Sequence, residues 1–266
     1  MYVVKASGRK EEFDEKKIFR TCIRAGASKK FANEVAKSVK EKCYEGITTR
    51  EILELTLKFL KKERPGISSR YDLKRAIMCL GPTGFPFEQF FAEILQNYGY
   101  ETCVRKIFNG KCVEQEVDIA AKKDSLKYMI ECKYHNELGI YTGLKVALYT
   151  YARFLDLSDK FDKAWLVCNT KLTNEAIKYS NCVGIKITSW HYPKDESLEK
   201  LIEKKKLYPI TILKSLNFCE KIKVMQANFL LIEDFLRYSK EELRKRTKIK
   251  MGSLEKAIEE TKNILL

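Results

Sequence analysis

A chain of 266 residues, 45% of them hydrophobic, has room for two or three domains with cores of their own. No apolar run approaches the roughly 18 residues that span a membrane, and "MYVVKASGRK" lacks the apolar stretch of a signal peptide. Nine scattered cysteines without a C-x-x-C pair, and only His135 and His191, argue against a disulfide framework and a structural zinc site. The expectation is a cytoplasmic protein with reduced thiols and no membrane partner. The net charge of +15 is uneven. Residues 1–80 hold 20 Lys+Arg against 11 Asp+Glu, residues 81–200 hold 16 against 16, and residues 201–266 hold 15 against 9. Basic ends suit phosphate-bearing partners and a neutral centre can hold acidic ligands, although Lys/Glu-rich surfaces are also a thermophile habit.

In chain order, Met1–Lys5 and Glu12-Phe13 read as a hairpin turning at Ser7-Gly8. Helical patterns follow at about Glu15–Ala25, Lys29–Cys43, Thr49–Lys62 and Ser69–Leu80, with Thr49 as an N-cap. "GPTGFPF" at 81–87 marks a boundary. The middle segment opens with an amphipathic helix, "FEQFFAEILQNYGY", and strands at Tyr100–Phe108, Val113–Lys122 and Leu126–His135. A helix at about Gly143–Leu157, the buried strand "AWLVCN", a helix near Thr173–Asn181 and the strand "GIKITSW" complete an αβββαβαβ order, which implies a mixed sheet with helices on both faces. Pro193–Lys206 reads as a charged connector, and from Pro209 onward the pattern is purely helical. The expected domains are 1–80, 85–192 and 207–266, in a multidomain α+β protein.

The stretch "EVDIAAKKDSLKYMIECKYH" places charges in two otherwise apolar strands. Alternation puts Glu131 and Lys133 on one face of the second strand, with Cys132 on the other, and the turn at Lys123-Asp124-Ser125 brings Asp118 to the same edge. Two carboxylates and an ammonium there form either a divalent-metal site or an ion-paired cluster.

"FEQFFAEILQNYGY", "EVDIAAKK" and "MIECKY", in that order over about residues 85–190, resemble the PD-(D/E)xK, or restriction-endonuclease-like, superfamily, closest to its Mrr-like and archaeal Holliday-junction-resolvase-like branches. The resemblance implies an α/β mixed-sheet domain that hydrolyses phosphodiester bonds in DNA. Asp118, Glu131 and the Cys132 carbonyl would hold Mg²⁺ or Mn²⁺, Lys133 would act on the attacking water, and Glu88 would complete the site from the helix. Glu116 is an extra ligand or a solvated rim charge. His135 is a phosphate contact or a surface histidine. Lys145, Tyr149 and Arg153 share a helical spacing that could follow a DNA backbone, and Tyr149 could equally be packing. Val117 stands where many members carry Pro or Gly before the first carboxylate. The alternative from another class is a catalytically inactive nucleic-acid-binding protein that keeps the fold.

"VVKASGRKEEFDEKKI", "GITTREILE" and "SSRYDLKRAI" resemble the ATP-cone, a helical nucleotide-binding regulatory domain with an N-terminal hairpin. Carried over, Lys5 and Lys17 would meet the phosphates of ATP or dATP, Glu11 and Asp14 the base or ribose, and Thr49 the pocket wall. Ala6 and Leu53 stand where some cones have Arg and His. The C-terminal segment, with "SKEEL" and "LEKAIEE", resembles a helix-hairpin-helix module that grips DNA phosphates, and a helical dimerisation unit fits its pattern as well. The expected partners are DNA, nucleotide and further copies of the chain in a homo-oligomer.

Overall fold

The N-terminal hairpin forms because two short extended runs flank a turn that Gly8 opens with a positive φ. A computed structural model describes residues 1–63 and 65–266, apart from the side chains of Glu63 and Pro65. β1 (Tyr2–Val4) and β2 (Lys10–Glu12) pair antiparallel, and Val4 adds a parallel bridge to Thr48. α1 (Glu15–Arg24) starts where Asp14 accepts from the Lys16 N–H, and α2 (Lys29–Lys40) where Ser28 accepts from that of Phe31. α3 (Thr49–Glu63) is capped by Thr48 and not by Thr49. The Thr48 hydroxyl accepts from the Glu51 N–H while the Glu51 carboxylate accepts from the Thr48 N–H, a reciprocal capping box. The helix expected over 69–80 is broken at Asp72 into α4 (Pro65–Tyr71) and α5 (Leu73–Met78). Ile18, Cys22, Ala32, Val35, Val39 and Leu60 close a core between these helices.

The chain divides into two units, residues 1–76 with 210–266 and residues 77–209. In the second, α6 (Phe85–Asn97) buries Phe87, Phe90, Phe91, Ile94 and Leu95. The five-stranded sheet runs β3-β4-β5-β7-β9. β3 (Glu101–Asn109), β4 (Glu114–Lys123) and β5 (Leu126–Lys133) are antiparallel, and β4 and β5 meet in a two-residue turn where Asp124 takes a positive φ. β6 (Tyr141–Thr142) precedes α7 (Leu144–Asp156), which crosses over to β7 (Lys163–Cys168), parallel to β5. β8 (Lys171–Leu172) pairs with β6, and α8 (Asn174–Val183) leads to β9 (Lys186–Thr188), parallel to β7. One sheet face buries Val117, Met129, Ala164 and Leu166 in a core with Ala147 of α7 and Ala176 of α8. On the other, Trp165 meets Phe91 of α6 edge to face. The connector expected over 193–206 instead contains α9 (Leu198–Lys205), because Ser197 caps it and Leu198 and Ile202, four residues apart, are both buried.

The C-terminal helices belong to the first unit. A 3₁₀ turn at Ile210–Ile212 precedes α10 (Phe218–Gln226), α11 (Asp234–Arg237), α12 (Lys240–Thr247) and α13 (Met251–Leu265). α13 lies so close to α4 that a Cβ on Gly66 would collide with the Asn263 carbonyl, and Arg70 donates to the Ile264 carbonyl at 3.2 Å. The Thr211 hydroxyl donates to the Ala76 carbonyl at 2.6 Å. The segments expected as first and third domains therefore share one unit.

Candidate active site

β4 and β5 pair as far as Ile119 opposite Ile130 and then part. Past that point the Cys132 N–H has no β4 backbone partner, and the Asp118 carboxylate takes that place, accepting at 2.7 Å. The strand break thus fixes Asp118 against the strand that carries Glu131 and Lys133. Glu88 joins them from the first turn of α6, where Gly84 and Pro86 end the boundary segment.

Burial sets the electrostatics of these carboxylates. Glu88 is pushed up to about 7, first by burial and then by the charges of Asp118 and Glu116, with Arg105 opposing. One of its oxygens, Oε2, is buried without a hydrogen-bond partner. Glu131 is raised by burial and by Asp118, against the pull of Arg153. Asp118 is also raised by burial, although the Cys132 N–H and Arg153 favour its charged form. Three acidic side chains in one another's field, one with an orphaned oxygen, carry an excess of negative charge that invites a cation. Hard oxygen donors suit Mg²⁺ or Mn²⁺, so the residues present fit such an ion. The Cys132 thiol is buried, and burial and then the charges of Asp118, Glu88 and Glu131 push its pKa well up, so it stays protonated and only its carbonyl is a candidate ligand. Among the described residues, no three His, Cys, Asp or Glu side chains stand in a ready-made ligand cage. Lys133 is exposed at the strand end.

Two arginines complete the site, and neither role was legible in the sequence. Arg153, expected on a DNA-facing stripe with Lys145 and Tyr149, is buried on the inner side of α7. It donates to the Glu131 carboxylate and the Glu116 carbonyl, and its Nε donates to Gln115 Oε1 at 3.1 Å. Helical spacing groups residues by face but does not say which face turns inward. Lys145 and Tyr149 are exposed, and the Tyr149 ring lies 5.3 Å from the Arg153 guanidinium. Arg105 takes a positive φ of 54° in β3, and the β3–β4 pairing skips it between Val104 and Lys106. A non-glycine residue in that conformation is strained. Its guanidinium meets Glu116 at 2.9 Å and the Phe85 ring at 5.3 Å, so Glu116 is an ion-paired rim charge here. His135 is half-buried, 3.0 Å from the Thr142 hydroxyl, and burial lowers its pKa.

In the first unit, the hairpin brings Lys5, Glu11 and Lys17 together as an ion-paired triad. Hydrogen bonds from Lys17 and Lys5 hold the Glu11 carboxyl down at about 2. Asp14 is occupied in capping α1, and Thr49, exposed, directly follows Thr48, which bridges to Val4 of the hairpin. At the C-terminal end, Arg244, Lys245, Lys248 and Lys250 line a concave surface where α12 turns into α13. Lys248 adopts the positive φ that a hairpin glycine would take more readily, and no side chain caps α13.

The fold of the second unit is that of a restriction-endonuclease-like protein. Residues 82–193 match the restriction endonuclease family of Mrr catalytic domains and residues 1–76 match the ATP cone domain. The chain belongs to the restriction-endonuclease-like family, in the form that joins an ATP cone to the nuclease-type domain. An uncharacterized protein of Archaeoglobus fulgidus is 54% identical over 124 residues, 46% of this chain and 71% of its own. A second uncharacterized protein from that organism is 60% identical over 38 residues, 14% of this chain and 81% of its own. A crystal structure of AF1548, a protein of unknown function, aligns with a TM-score of 0.62 and 41% identity over 69% of this chain and 98% of that one.

Proposed function

We propose that the protein is a metal-dependent DNA endonuclease whose activity responds to ATP or dATP held by the N-terminal cone. The observation that carries the reading is the set of buried carboxylates Glu88, Asp118 and Glu131, with the orphaned Glu88 oxygen, at the strand break beside Lys133. Asp118, Glu131 and the Cys132 carbonyl are the groups that would hold Mg²⁺ or Mn²⁺, with Glu88 completing the set. Such an ion, when bound, polarises a phosphoryl oxygen and makes a bound water more acidic. The protein's own part is positional. Lys133, exposed at the end of its strand, orients the water and meets negative charge growing on the phosphate. Arg153 fixes Glu131 from behind, and Asp118 is held by the Cys132 N–H.

The basic concave surface at the α12–α13 turn would hold phosphates along the duplex by point charge and by backbone N–H groups at the start of α13. In the cone, a triphosphate would displace Glu11 as the counter-ion of Lys5 and Lys17. One observation favours the alternative, an inactive nucleic-acid-binding protein: Arg153 already neutralises Glu131. The test is a panel of linear, flapped, single-stranded and four-way-junction DNAs incubated with Mg²⁺ or Mn²⁺. Cleavage of one or more of them supports the nuclease reading. Binding without cleavage of any supports the alternative.

A further inference from the structure

The first unit holds a cavity of about 410 Å³ where α3 and α4 face α13 and the segment that follows the 3₁₀ turn. Lys61, Lys214 and Lys256 line it, and among the described residues none of the three forms an ion pair. Ser68 and Ser69, 1% and 3% exposed, line it as well, and the Ser215 hydroxyl is buried there without a hydrogen-bond partner. Two carboxylates share the lining. Glu260 is already occupied, accepting from the Lys214 and Ser215 N–H groups at 2.9 and 2.8 Å, and Glu259 is exposed. Loss of hydration lowers the pKa of Lys214, with Asp72 and Glu260 opposing and Lys61 adding to the fall. A partly dehydrated ammonium in the field of another cation is stabilised by an anion.

We propose that this cavity binds the phosphate group of a small phosphorylated molecule, at a place separate from the Lys5–Glu11–Lys17 triad and from the basic surface at the α12–α13 turn. It shares no lining residue with either. The three lysines supply charge, and the Ser69 and Ser215 hydroxyls supply donors that a tetrahedral oxyanion accepts from at short range. The volume is that of a small-molecule pocket. A duplex suits it less, because a polyanion needs cations spread along its backbone. Here they surround one cavity, and Glu259 beside them would repel the next phosphate. The walls are set before any ligand arrives: Glu260 ties the 214–215 segment to α13, and Gly66 lies against the Asn263 carbonyl. A ligand held by both walls fastens the cone helices to the C-terminal helices, so its binding should raise the melting temperature of the unit.

The test reads binding and not cleavage, so it stands or falls separately from the nuclease assignment. The full chain carrying Lys5→Ala and Lys17→Ala, which lacks the phosphate-facing lysines of the cone, is dialysed to equilibrium against radiolabelled orthophosphate at constant ionic strength. It should bind orthophosphate, and ribose 5-phosphate should displace the label. Adding Lys214→Met and Lys256→Met, both at exposed positions, should weaken binding by about tenfold or more and leave the melting temperature in phosphate-free buffer unchanged. In wild type, orthophosphate should protect Lys61, Lys214 and Lys256 from acylation by an amine-reactive ester. Absence of binding, no displacement by the ester, equal affinity in the lysine variant, or protection confined to other lysines would overturn the proposal.

Discussion

At the scale of single residues, the site is a balance of buried charge. Glu88 is raised to about 7 from an ordinary carboxyl value, so its folded form binds a proton that the unfolded chain has released. Stability contributed by that proton is present at low pH and is lost as pH rises through 7. Glu88→Gln should therefore raise the melting temperature at pH 8 and change it little at pH 5. The gain should be roughly 1–3 kcal/mol after allowing for partial exposure. Calorimetric melts of both proteins across that range check it, and an equal shift at both pH values would contradict the assignment. Arg153→Met should remove the counter-charge of Glu131 and leave a buried carboxylate unpaired, costing about 3–5 kcal/mol in urea titrations. The acidic residues could be read from the sequence because alternation and motif order place them. The arginines could not: Arg105 depends on a backbone twist that no residue type announces, and Arg153 on which side of α7 turns inward.

At the scale of elements, the order of strands and helices along the middle segment and the α6, α7 and α8 positions follow from hydrophobic period and turn residues, which is why they were legible, whereas the strand order within the sheet was not. The fate of residues 210–266 was not. An amphipathic helix declares that it has an apolar face, but the partner of that face is decided by packing. Gly66 lets α13 approach α4, so Gly66→Ala should destabilise the first unit by about 1–3 kcal/mol, as a backbone collision forces the helices apart. Urea unfolding monitored by fluorescence reads this out. The α12–α13 turn is a separate matter of charge. Lys248→Ala with Lys250→Ala should weaken DNA binding and lower the slope of log affinity against log salt by about one for each phosphate left without its lysine. An unchanged slope would leave these helices a purely structural role.

At the scale of the whole molecule, an ATP cone domain is joined to a restriction-endonuclease-like domain. Wild type should bind ATP or dATP in calorimetry, and Lys5→Ala with Lys17→Ala should abolish the heat, because both lysines that would meet phosphate are then gone. Binding without an effect on cleavage would keep the ligand and remove the regulation. No G-x-x-x-x-G-K-[ST] loop is present, so the nucleotide is expected to be sensed and not hydrolysed. Everything downstream rests on the chemistry at the β4–β5 break. The most direct measurement is single-turnover cleavage of an end-labelled DNA by wild type, Asp118→Asn and Lys133→Ala, with Mg²⁺ or Mn²⁺ and with excess EDTA. The expected result is cut strands from wild type only when the metal is present, and a rate lower by about 10²–10³-fold or more in each variant. Undiminished cleavage in EDTA, or by both variants, would contradict it.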